Sequence, residues 1–289
     1  MANLLKETFG PLLAHWLQTR LDAETTGWIE KTAADVPLMN SAQVERAVAL
    51  VGRKAGKADL ALTGAELGEA QRLRPGWVPR FWTIADVART STLLPLADDA
   101  VSFGTTFRRL CQAADLATLI GFYRALPLFP ISDDLDWQIG EGLRTSIREI
   151  FEAIAHDSPV PAETFSEHRW NHMVLKALFI DSSLPPIVGL DKRRNDDLAA
   201  TLVDYVHERR AARRGVDLHV WRCIAPFARG EVLGEINPLL VSPDPIERSV
   251  AALFLAESPD PASRSMLAGL ATEHAAIASR ALSWSSIPA

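Results

Sequence analysis

An all-α fold is what this sequence predicts, and three observations predict it. Apolar residues recur at helical spacing: Ile139, Leu143, Ile147, Phe151 and Ile154 stand three and four apart and draw one apolar stripe. Met266, Leu270, Ile277, Ala281 and Trp284 nearly repeat that pattern near the C-terminus. Period-two alternation is scarce, and no Asn-Gly or Asp-Gly pair signals a hairpin. Finally, prolines such as Pro75, Pro79, Pro127, Pro130, Pro185 and Pro186 fall between periodic segments, where a missing N–H does least harm. Breaker spacing predicts about 12 to 15 short helices.

Taken in order, the first segment, MANLLKETFGPLLAHWLQTR, reads as an apolar helix rather than a signal peptide. Lys6, Glu7, His15 and Arg20 interrupt it, and no small-residue cleavage site follows. Residues 52–60 (GRKAGKADL) read as a solvated basic connector or helix end. A helix is expected from Asp98 to Ile120, paired with the segment Gly121 to Phe129. Two further helices are expected over 165–180 and 195–213. The segment SPDPIERSVAALFLAESPDPASRSML is the clearest helix–turn–helix unit, its Ser-Pro-Asp-Pro punctuation recurring at Ser242 and Ser258. Such pairs suit an α-solenoid of HEAT-like helix pairs, each burying its apolar face on the next; an irregular helical bundle is the alternative. Residues 1–289 are read as one all-helical domain, with a central core at 161–228 and a C-terminal helix-pair region at 231–289.

Composition narrows the function classes. A hydrophobic content of 48% against 23% charged residues argues for a globular chain and against disorder. The net charge of −6 argues against nucleic acid, which needs a positive footprint. Cys111 and Cys223 are too few for a disulfide framework, so the expectation is a cytoplasmic protein with reduced thiols. No window approaches the ~18 apolar residues that cross a bilayer. Trp16, Trp28, Trp77, Trp82 and Trp137 read as core anchors or partner-facing residues.

The densest chemistry lies between His168 and Arg222. His168, His172 and Lys176 stand at i, i+4 and i+8, so a helix puts them on one face. Met173, Val174, Leu175, Ala177, Leu178, Phe179 and Ile180 surround the lysine, and a helix apolar all round is normally buried. A buried ammonium needs a carboxylate partner or loses its charge. Asp204 and Glu208, one turn apart on the next long helix, offer that partner. If the two helices pack, Lys176 and the histidines face Asp204 or Glu208 in a polar pocket. The alternative is an ion pair that only fixes helix register. Arg193, Arg194, Arg209, Arg210, Arg213, Arg214 and Arg222 form a second group. Guanidinium forks grip carboxylate or phosphate with two bonds, so some of these are candidate anion contacts and the rest face solvent.

Several chemistries lack their residues. His168 and His172 have the spacing of two zinc ligands, but Arg169 stands where the metalloprotease helix needs glutamate, and the nearby lysine disfavours a cation; no metal is expected. Asp133-Asp134-Leu135-Asp136-Trp137 misses the last aspartate of a DDxxD motif. His156-Asp157 is followed at once by a helix-ending Pro159 and reads as a turn. There is no GxSxG, P-loop or dinucleotide fingerprint, and no cofactor is expected.

The run Trp170-Asn171-His172-Met173-Val174-Leu175-Lys176-Ala177-Leu178-Phe179 resembles the EboA domain family. So do Gly189-Leu190-Asp191 with Arg194 and Asn195, then Glu208-Arg209, Ala211-Ala212 and Trp221-Arg222. The resemblance implies a bacterial gene-cluster protein that serves the making or export of a small secondary metabolite. Its implied partners are an anionic small molecule or a pathway enzyme, a membrane prenyltransferase among them. It implies no activity of the chain itself. The candidate ligand-binding set is then His168, Asn171, His172, Lys176, Asp191, Arg194, Asn195, Asp204, Glu208, Arg209 and Arg222. A binding or accessory protein is the leading expectation. The competing one is an enzyme acting on a phosphorylated cyclitol, sugar or prenylated intermediate, with Lys176 or His172 as acid and Glu208 or Asp204 as base. A scaffold whose polar set is helix-register glue is the third.

Overall fold

A computed structural model of the chain describes residues 2–288, with side chains from residue 5 onward. The regular structure of the described residues is helical, and its helices are more numerous and shorter than breaker spacing predicts. An isolated antiparallel bridge joins Asp59 and Thr83. The chain divides into two compact units, residues 1–163 and 164–289.

In the first unit, side-chain caps set where helices start. Asp22 accepts from the Thr25 N–H at 2.7 Å and opens Ala23–Asp35. Reciprocal boxes of Asn40 with Gln43, Thr63 with Glu66 and Thr83 with Asp86 open Ser41–Ala55, Gly64–Leu73 and Ile84–Leu93. Each box satisfies two backbone donors that the first turn leaves without partners. Ile84–Leu93 is the hub of this unit: nearly all its residues are buried, and it packs on Ala2–Gln18, Ala23–Asp35 and Ser41–Ala55. Trp77 anchors an aromatic cluster, with Phe9, Trp16 and Trp82 at 6.0, 5.9 and 5.4 Å between ring centres. The Phe9 and Trp82 pairs are edge-on, and such pairs add about 0.5–1.5 kcal/mol beyond area burial. Further on, Ala100–Ala113 packs on Asp133–Arg144, and Leu116–Arg124 on Arg148–Ala155.

Three expected helices are divided more finely than periodicity suggests. The segment expected from Asp98 to Ile120 breaks at Ala114, because Asp115 caps a new helix by accepting from the Thr118 N–H at 2.8 Å. The stripe Ile139 to Ile154 is shared by two helices, with Ile147 39% exposed between them. There the Thr145 hydroxyl accepts from the Ile147 N–H and competes with helical bonding. The C-terminal stripe is likewise split, into Ala262–Ala268, Ala271–Ala278 and a short 3-10 turn at Trp284–Ser286.

The second unit is organised around Pro245–Glu257, whose residues Val250 to Leu255 are all buried. Its start follows from Asp244, which accepts from the Ile246 N–H at 2.8 Å, with Pro245 in the first turn where its missing N–H costs nothing. The second Ser-Pro-Asp-Pro repeat works differently. Asp260 accepts from the Ala262 N–H and from the Gly230 N–H, both at 2.9 Å, and so ties the turn to a distant loop. Glu167–Phe179 packs on Asp196–Ala211, with Phe179 edge-on to Tyr205 at 5.6 Å. Val220–Ile224 packs between Asp196–Ala211 and Pro245–Glu257, and Trp221 meets Phe254 at 5.7 Å.

Candidate functional site

The helix Glu167–Phe179 begins because Ser166 accepts from the Arg169 N–H at 3.3 Å. Trp170, Met173, Val174, Ala177 and Leu178 form its buried face. The histidines lie off that face. His168 and His172 are exposed and meet edge-on, 4.1 Å between ring centres. Lys176 is half-buried, and that loss of water holds its ammonium below the ordinary lysine value. The helix is thus not buried all round: Phe179 is 59% exposed, and His168 and His172 are exposed with it. Asp204 and Glu208, expected opposite Lys176, are exposed on their own helix, and neither takes part in an ion pair among the described residues.

The carboxylate that gathers arginines is Asp191 instead. It sits in the short turn Asp191–Arg193 that follows Gly189, whose φ of 84° suits glycine. Arg222 forks onto it, Nε to Oδ1 at 2.7 Å and Nη2 to Oδ2 at 2.6 Å. Arg194 lies 3.7 Å from the same carboxylate and donates to the Arg222 carbonyl at 2.8 Å. The Arg194 guanidinium also reaches Glu257, Nη1 to Oε2 at 2.6 Å, and Glu257 accepts the Trp284 indole N–H at 2.7 Å. Burial by itself would raise the Asp191 carboxyl. The Arg222 hydrogen bonds and charge, with Arg194 behind them, outweigh it and hold the carboxyl below its ordinary range. Burial likewise opposes the Arg222 charge, and Asp191 overcomes it. Two guanidinium groups and two carboxylates therefore close on each other.

Asn171 and Asn195 form a second closed pair. The Asn171 amide donates to the Asn195 carbonyl at 3.0 Å, and the Asn195 amide returns the bond at 2.9 Å. Asn195 also opens Asp196–Ala211 by accepting from the Leu198 N–H at 2.8 Å. It therefore joins the two helices at their shared end. Arg209 turns back to its own helix end and donates to the Gly215 carbonyl at 2.8 Å. Arg210 stacks over Trp221 at 5.4 Å and donates to the Glu235 carbonyl at 2.8 Å. Arg193 lies over Trp170 at 4.9 Å, and Arg213 and Arg214 are exposed.

Sequence reasoning missed Glu257 and Trp284, which stand far from Arg194 along the chain and carry no local signal. It also missed a polar node in the first unit. Asp86 is 4% exposed and accepts from the Thr83 N–H at 2.9 Å, with Arg89 and Arg124 each 3.9 Å away. The spacing Thr83-x-x-Asp86 was the legible signal of that cap. Cys111 and Cys223 are buried, and burial pushes both thiols up, Cys223 to about 12, which makes them poor nucleophiles. Among the described residues no three His, Cys, Asp or Glu side chains gather as metal ligands. No described helix is long and apolar enough to cross a membrane.

Fold and site together define an all-α protein whose central polar residues close into carboxylate–guanidinium and amide pairs. The chain belongs to the EboA family, described as metabolite traffic protein EboA, whose family model matches residues 10–225. Asp191, Arg194 and Arg222 lie within that match, and Glu257 lies beyond it. No curated protein and no solved structure matches the chain.

Proposed function

We propose that this chain is a non-catalytic accessory protein of metabolite traffic in a secondary-metabolite pathway. It holds an anionic small molecule, or the pathway enzyme that handles it, without transforming it. One observation carries this reading: the groups that would do acid–base work are closed on each other or stand apart. Asp191 is neutralised by Arg222, Arg194 by Glu257, and Asp204 and Glu208 are exposed away from ion pairs. The edge His168–His172–Lys176 supplies cation-capable donors, which suits anion contact. The Asp191 network then acts as the frame that fixes the segment after that helix.

The free thiols of Cys111 and Cys223 support a reducing, cytoplasmic setting. The packing of Ala100–Ala113 on Asp133–Arg144, and of Leu116–Arg124 on Arg148–Ala155, supports a stack of helix pairs. The test is native mass spectrometry of the chain against a small-molecule extract of cells that make the metabolite. A retained anionic species, lost on His168→Ala with His172→Ala while helicity persists, supports the reading. Retention that ignores both substitutions removes this edge from the account.

A further inference from the structure

The segment 281–288 lies on the second unit as a strap, and the chain enters it through a strained turn. Two of its side chains are plugs: Trp284 is 7% exposed and Ile287 6%, while Ala281, Ser283, Ser285 and Ser286 are exposed. The Trp284 indole N–H donates to Glu257 at 2.7 Å. The Pro288 carbonyl, which can only accept, takes the Nε2–H of the buried His219 at 3.0 Å. The strap also carries its own shape, because Ser283 and Ser286 cap each other reciprocally around the 3-10 turn Trp284–Ser286. Ahead of the plugs, no residue from Ala268 to Ser283 is buried. The turn is at Arg280, whose φ of 61° lies in the left-handed region. There the helix Ala271–Ala278 ends, and the Ala281 and Leu282 N–H groups both return to the Ala276 carbonyl, at 2.9 and 3.1 Å. Such an end normally takes glycine, because a Cβ crowds the following carbonyl. Arginine therefore keeps the turn strained for as long as the strap folds back on its own unit. The helix before the turn stays with the unit through the Arg248–Glu273 ion pair, at 3.5 Å.

We infer that the strap exchanges between two copies of this chain, with Arg280 as the hinge. A second copy is the fitting occupant because its strap brings to the receiving unit the same two plugs, the same indole bond and the same carbonyl bond that the closed chain makes. In the exchanged pair, Trp284 of one copy completes the Glu257–Arg194 contact of the other. Opening the hinges releases two left-handed residues, and the freed N–H groups of Ala281 and Leu282 return to helical bonding or to water. The magnitude follows. An exchange that only remakes existing contacts has a Kd near the effective concentration of the tethered strap, on the order of 1 mM. Relief of two hinges tightens it about 10- to 30-fold, to the order of 100 µM. The exchange is independent of the anion-contacting edge proposed above, and neither result decides the other.

The experiment is sedimentation velocity of the full chain from about 10 µM to about 500 µM. The expected result is a dimer that grows in across this range. Arg280→Gly relieves the turn in the closed chain and weakens the dimer about 10- to 30-fold. Arg280→Val strengthens it at least about 3-fold, since a β-branched residue tolerates the left-handed turn least. Trp284→Phe separates exchange from ordinary surface association. It removes the indole bond from the closed chain and from the pair alike, so Kd stays within about 3-fold of wild type while the isolated dimer returns to monomer faster on dilution. A chain that stays monomeric at about 500 µM, with Arg280→Val included, overturns the inference. So does a dimer whose Kd ignores Arg280→Gly, or one that Trp284→Phe weakens at least about 10-fold.

Discussion

Arg222 holds Asp191 in a two-pronged bond, at 2.7 and 2.6 Å, across 31 positions of sequence. Planar guanidinium and planar carboxylate match in this geometry, so the pair fixes orientation as well as distance. It pins the turn after Gly189 to the helix Val220–Ile224, and Arg194 extends the same charge balance to Pro245–Glu257.

Asp191→Asn should therefore weaken folding while leaving the helical content in place. Arg222 is mostly covered and keeps its charge, so the expected loss is about 1–2 kcal/mol at pH 7. The acid dependence carries the sign. The Asp191 carboxyl lies below its ordinary 3.8 in the folded chain, so its contribution is complete above that value and disappears as pH falls through the lowered one. Urea unfolding at pH 7 and near pH 3 checks both points: the gap between wild type and variant should narrow in acid. A gap that stays constant would show that the pair contributes nothing through charge.

Asn195 does two jobs and Asn171 one, and their substitutions should differ accordingly. Asn195→Ala removes both the cap on Leu198 and the reciprocal amide bonds, at a cost of about 1–2.5 kcal/mol. Asn171→Ala removes only the amide bonds and should cost about 0.5–1.5 kcal/mol. In a double-mutant cycle the two should couple favourably. Strict additivity would mean that the amides do not bind each other in solution.

Gly121 and Gly52 each leave room for a charged side chain, but with different give. A Cβ at Gly121 would run into the Asp86 carboxylate, which the Thr83 N–H holds in place. Gly121→Ala should thus cost about 1–3 kcal/mol despite alanine's better helix propensity. A Cβ at Gly52 meets the far end of Arg89, a long side chain that can swing aside. Gly52→Ala should stay within about 1 kcal/mol of wild type. Chemical denaturation of both variants ranks them, and the reverse order would place Asp86 elsewhere.

Lys176→Met should be more stable than wild type at neutral pH. Partial burial lowers the lysine below its ordinary 10.5, so the folded state disfavours the charge. Sign follows from linkage: the unfolded chain binds the proton more readily, and wild-type stability rises as pH climbs towards 10.5. The methionine variant lacks that rise, so the two stability curves should converge in alkali. Curves that run parallel from pH 7 to 10 would contradict the buried position.

The all-α class was legible because apolar spacing and proline placement are local properties. Helix ends were less so, since Asp115 and Thr145 interrupt a continuous stripe through single hydrogen bonds that periodicity does not register. In the site, Asp191, Arg194 and Arg222 were each named beforehand, Asp191 through the family resemblance. Their mutual pairing is not legible, because a lysine in an apolar run calls for a carboxylate more strongly than arginines in a polar stretch do. Glu257 and Trp284 were beyond reach, for the contact that recruits them is made by tertiary folding alone.

The central claim, that the chain holds a pathway molecule without changing it, is tested most directly by the mass of that molecule. The chain is loaded from the extract, freed of unbound material, and incubated; the ligand is then released and weighed by liquid chromatography–mass spectrometry. The account predicts recovery at the mass that was loaded, in near-stoichiometric amount, at every time of incubation. A product of different mass that grows with time, and grows more slowly with Lys176→Met, would show an enzyme and contradict it.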